Sequence, residues 1–105
     1  MKVYRVENKQ HRGPYQPGIT EKWMDEKPYH NKETFMVEFG VEFLNDRQPG
    51  EMFYCGFLDL SQLCNWFSFS ELAKLRKLGF IVRIVDAHRI IHSSENQTVF
   101  SRIMK

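Results

Sequence analysis

Met52–Asp86, MFYCGFLDLSQLCNWFSFSELAKLRKLGFIVRIVD, decides the fold. It holds an apolar run, two short helices with start signals, and a second apolar run. Asp59 precedes Gln62 by three residues, the spacing at which a cap and a reciprocating side chain satisfy the first backbone N–H groups of a helix. Leu60, Leu63, Trp66 and Phe67 then recur at helical spacing. Ser68 and Glu71 repeat the box at once, so a second helix starts there at a new angle. Leu72, Leu75 and Leu78 form its apolar stripe, with Lys74, Arg76 and Lys77 toward water and suited to the negative end of the helix dipole. Gly79 stands where a left-handed residue closes a helix without a Cβ penalty. Phe80–Asp86 follows, mostly apolar and β-branched, and predicts a central strand covered on both faces.

Outward from this segment, the pattern becomes strands and turns. Lys2–Glu7 (KVYRVE) alternates polar and apolar residues and predicts a first strand. Arg12–Gly18 (RGPYQPG) has two Pro and two Gly in seven residues, a turn-rich loop. A short helix is expected around Thr20–Asp25. Over Thr34–Leu44, Phe35, Val37, Phe39, Val41 and Phe43 fall on alternate positions, predicting a strand with one face buried and a bulge at Gly40. The same Phe spacing fits a helix, but the valines and the glycine favour the strand. Asn45–Gly50 is a turn, from which Glu51–Phe57 returns antiparallel. Arg89–Ile91 and Gln97–Ile103 complete the set. Five or six strands and two short helices give an α+β fold, a small twisted, mostly antiparallel sheet with the helices packed on it.

With 105 residues, the chain is expected to form one domain, 1–105, around one core. Its 42% hydrophobic and 27% charged residues are ordinary for a globular protein. No apolar stretch is long enough for a membrane span and no leader pattern opens the chain, so a cytoplasmic protein is expected. The net charge of +2 divides unevenly: residues 71–105 carry 7 basic and 3 acidic groups, residues 1–70 carry 8 and 10. That asymmetry is too weak for a nucleic-acid footprint, and the balance argues against an acidic DNA mimic.

Candidate chemistry is sparse. His88 and His92 share a face only on a helix, and HRIIH does not read as one; Cys55 and Cys64 lack the close pairing of structural zinc motifs. No metal site is expected, and the two cysteines read as buried free thiols. No phosphate loop, HExxH, GxSxG or paired-carboxylate motif occurs. Tyr15, Trp23 and Tyr29 lie in the polar stretch before residue 33. They are either aromatic cover for the sheet or anchors for a protein partner, in which case their rings are partly exposed.

KVYRVE, GPY, the block CGFLDLSQLCNWF, the helix running into LGFIVRIVDA, and QTVF together resemble a family of small phage-encoded proteins. Residues 19–51 match it loosely, and it carries over no activity. The resemblance implies an accessory protein, expressed in the host cytosol, that binds and inhibits a host enzyme or a defence complex (anti-CRISPR or similar), with no cofactor. The order of elements is also similar to a trimmed ADP-ribosyltransferase fold, which implies an alternative: an NAD-using enzyme with Arg5, Tyr54, and Glu95 or Gln97 at its site. Arg5 matches the first-strand arginine of one transferase class. Cys55-Gly56-Phe57 departs from that class's Ser-Thr-Ser, and Glu95 or Gln97 only approximates its glutamate. The binder is therefore the leading expectation.

Overall fold

A computed structural model describes residues 1–25 and 38–103. The elements in order are β1 (Lys2–Glu7), α1 (Thr20–Trp23), a 3₁₀ helix (Glu42–Asp46), β2 (Glu51–Gly56), α2 (Leu60–Trp66), α3 (Phe69–Lys77), β3 (Ile81–Asp86), β4 (Arg89–Ser93) and β5 (Thr98–Ile103). All strand pairs are antiparallel, β1 with β3 and β5 with both β2 and β4. The two sheets meet where Tyr4 and Phe57 exchange backbone hydrogen bonds of 2.7 Å. The strand order therefore runs β3-β1-β2-β5-β4 across that bridge, an α+β architecture as expected. Gly56 makes the junction: a Cβ there would lie 2.7 Å from the Tyr4 carbonyl oxygen and 2.9 Å from the Phe100 ring.

The caps fall where the sequence places them. Asp59 accepts from the Gln62 N–H (2.8 Å), and Gln62 Oε1 reaches back to accept from the Leu58 N–H (2.9 Å), one residue before the cap. The Gln62 NH2 group donates to the carbonyls of Ser94 and Glu95 and so ties α2 to the β4–β5 turn. Ser68 and Glu71 form a full reciprocal box at the start of α3. The second oxygen of Glu71, a fully buried residue, accepts from the Asp25 N–H, which fixes the end of α1 against α3. Leu78 is the C-cap of α3, and Gly79 follows at φ +92°.

β1 is the strand covered on both faces. Tyr4 and Val6 pack toward Trp23, Phe57, Leu63, Trp66, Phe67, Leu75 and Phe80, the core under the helices. Val3 faces the opposite way, with Val85, Ala87 and Phe100 in a second core. Arg5 and Glu7 continue that second face as its polar end.

Four expectations are corrected. Among the described residues β3 is an edge strand rather than a central one: within it only Val85 is buried, while Ile81, Val82 and Ile84 are exposed. An apolar run does not say which strand has neighbours on both sides. Residues 38–44 do not form a strand. Gly40 turns the chain at φ +77°, Glu42–Asp46 coils into the 3₁₀ helix, and Phe39 and Phe43 both rest on the His92 ring. β2 accordingly pairs with β5, not with that run. Cys64 is exposed on α2, and so is Leu60; Cys55 is half-buried, and both thiols are free. The part of the expected strand before residue 38 lies outside the described residues, as does Tyr29.

Candidate functional site

Alternation along β1 puts Arg5 and Glu7 on one face, two residues apart, beside β2 and β5. Glu7 is fully buried and accepts four hydrogen bonds. Arg5 Nε gives one at 3.0 Å, Arg102 on β5 gives a bidentate pair at 2.9 Å each, and His11 Nδ1 approaches at 3.3 Å. Arg83 Nε on β3 stands 3.8 Å away, inside ion-pair range. Burial works to raise the Glu7 pKa, but the Arg102 and His11 hydrogen bonds and the charges of Arg102 and Arg5 outweigh it and hold it below the ordinary value. The Arg5 guanidinium is itself lowered by burial, against the opposing pull of Glu7.

Arg5 has further ties. Its Nη1 donates to the Cys55 carbonyl at 2.6 Å, linking β1 to β2. Its guanidinium carbon lies 4.8 Å from the centre of the Tyr54 ring, and that of Arg102 lies 4.9 Å from the same ring. Tyr54 is thus held by two cation–π contacts. Although Arg5 sits on an alternating strand with a carboxylate two residues on, its pair with Glu7 lies inside the molecule and not on a solvent face.

Next to this cluster opens a cleft of about 790 Å³. Its floor is aromatic: Tyr15, Tyr54, Phe57, Trp66 and Phe67 line it, with Arg5 and Gln97 among the polar groups. Trp66 Nε1 donates to the Tyr15 hydroxyl at 2.7 Å, and Tyr15 meets Trp23 edge-on at 5.2 Å. The Tyr15 ring is half exposed, but its hydroxyl end is tucked in, and burial pushes its pKa up to about 12. Burial likewise pushes the Cys55 thiol up to about 12, which keeps it protonated and a poor nucleophile near neutral pH.

The structure therefore brings Arg5, Tyr54, Gln97 and Tyr15 to one cleft. Glu95 is exposed in the β4–β5 turn and is not among the described residues that line it. Trp23 is fully buried, with its Nε1 on the Pro14 carbonyl at 3.1 Å, so the expected partial exposure of its ring is corrected. Glu7, Arg102, His11 and Arg12 were not singled out as site residues by sequence reasoning. The i, i+2 pair in YRVE carried a signal for Glu7; nothing local marks Arg102, which reaches Glu7 from the far end of the chain. Among the described residues, no cluster of three or more His, Cys, Asp or Glu is placed to hold a metal ion. His88 lies before β4 and His92 within it.

Fold and cleft define a small α+β protein with an open, aromatic-floored site beside a buried arginine–carboxylate cluster. The chain belongs to the Bacteriophage T4 Y00F protein family, whose sequence profile matches residues 1–104. It is thus a phage accessory protein. No curated protein and no solved structure matches it. Among the described residues, no helix is long and apolar enough to cross a membrane.

Proposed function

We propose that this phage accessory protein acts by binding a host or anti-phage defence protein and inhibiting it. The observation that carries this reading is the open edge at β3. The strand is hydrogen-bonded to β1 on one side and to no strand among the described residues on the other, and it exposes Ile81, Val82 and Ile84. An apolar edge of this kind is a template for a further strand. Arg76 and Lys77, exposed at the end of α3 just before β3, add positive charge beside it. The partner is accordingly an acidic protein that contributes an extended apolar segment.

The test uses purified chain incubated with host lysate, followed by cross-linking and mass spectrometry of the complexes. We expect a stoichiometric complex cross-linked through the β3 region, in which the partner's own activity falls. Ile84→Lys, at a residue 63% exposed, should abolish it without changing thermal stability. A complex that forms equally well with Ile84→Lys would remove the β3 assignment, and no complex would remove the binding reading.

A second reading, an NAD-using ADP-ribosyltransferase-like enzyme, is favoured by one observation: Arg5, Tyr54 and Gln97 line the same cleft. Against it, Arg5 is already bonded to Glu7 and Cys55, and no carboxylate is among the described lining residues. Stabilising an oxocarbenium ion calls for one. Label transfer from NAD to lysate protein, lost in Arg5→Ala, would establish this reading over the first.

A further inference from the structure

The loop after β1 carries an observation that strand docking does not use. Asn8 Oδ1 accepts from the backbone N–H groups of Gln10 (2.9 Å) and Arg12 (3.0 Å), and the Asn8 carbonyl accepts from the His11 N–H at 3.1 Å. The turn so held places His11 at φ +64°, a left-handed conformation uncommon for a residue with a Cβ. Strained residues that the surroundings hold in place cluster at ligand sites. Here the turn brings Gln10, His11 and Arg12 to the mouth of the cleft.

His11 keeps its Nδ1 on Glu7 at 3.3 Å, which leaves its Nε2 edge for a ligand. Gln10, His11 and Arg12 are exposed, and among the described residues neither the Gln10 amide nor the Arg12 guanidinium makes a hydrogen bond or ion pair. Of the three arginines around Glu7 only Arg5 lines the cleft; with Arg12 at the mouth and no acidic residue among the described lining, the cleft carries an excess of positive charge. The floor offers ring faces and edges instead. A volume of about 790 Å³ suits a small molecule larger than an inorganic anion.

The geometry points to a nucleoside monophosphate site. The heterocycle lies on the aromatic floor against the half-exposed Tyr15 ring, the Gln10 amide meets its edge, and the phosphate sits on Arg12 and the free edge of His11. An inorganic phosphate would make no use of the floor, and an uncharged aromatic no use of Arg12. The site neither requires NAD turnover nor involves the β3 edge, so it stands or falls apart from the readings above.

Isothermal titration of the full chain with AMP, adenosine and inorganic phosphate tests it. AMP should bind saturably with one-to-one stoichiometry, at least about tenfold tighter than adenosine or phosphate, as one charge-assisted contact warrants. Arg12→Ala should weaken AMP about tenfold and leave adenosine unchanged. Arg12 is exposed, so an unchanged melting temperature is expected and confirms that the variant is folded. Absence of saturable AMP binding, equal affinities for AMP and either fragment, or an Arg12→Ala variant that binds AMP normally would overturn the assignment.

Discussion

Replacing Glu7 by Gln tests what joins the two cores. The substitution keeps the shape and removes the carboxylate that Arg5, Arg83 and Arg102 share. Arg5 is 9% exposed and Glu7 0%, so the charges left behind cannot recover their hydration. Breaking a buried pair by removing one partner costs about 3–5 kcal/mol. The amide oxygen still accepts one hydrogen bond, which favours the lower end. Set against a total stability of about 5–15 kcal/mol, a loss of ~3 kcal/mol is a large share. For a domain of this size it lowers Tm by roughly 12–24 °C. Circular dichroism during heating and during urea titration reads the change. Asp86→Asn, which removes an exposed pair with Lys2, is the control and should leave Tm unchanged. The pH dependence gives a second readout. The Glu7 pKa is depressed in the folded state, so the unfolded chain binds more protons and stability rises with pH. This contribution is fully present above the ordinary glutamate value near 4.5 and is lost as pH falls through the folded-state value. Glu7→Gln should flatten that acid limb, although Glu51, whose carboxyl the Arg89 hydrogen bonds also hold below its ordinary value, retains part of it. A Tm within about 2 °C of the parent, far less than one kcal/mol produces in a domain of this size, would refute the reasoning.

Trp23→Ala should destabilise the chain by about 3–5 kcal/mol in urea denaturation, because a fully buried ring leaves a cavity among Tyr15, Phe67 and the helices. A variant of parental stability would return Trp23 to the surface role that the sequence offered it. Gly79→Val should cost more than ~1 kcal/mol through the backbone alone, since φ is +92° and no atom lies within 4 Å of the added Cβ. An unchanged melting temperature would remove the left-handed cap from the account.

What the sequence determined by itself is local. Asp59, Ser68 and Gly79 act on backbone groups within a few residues, so their spacing sufficed to bound α2 and α3. The alternation in KVYRVE was enough to make β1 and to put Arg5 and Glu7 on one side. Which strand became central depended on what else was available to pair. β1 took β3 on one edge and the Phe57 bridge on the other, leaving the more apolar β3 at the rim. Phe39 and Phe43 fit a strand and a helical turn equally well, and contact with His92 went with the turn once β5 had taken β2. The candidate site is non-local in the same sense. Arg102 lies 95 residues from Glu7, and Trp66 lies 51 from the Tyr15 hydroxyl it bonds. Antiparallel pairing and the crossing of two sheets at Gly56 bring these groups together. The physical reason is range: a cap or an alternating face is set by bonds a few residues long, whereas a cleft exists only after separate elements have excluded water from one another.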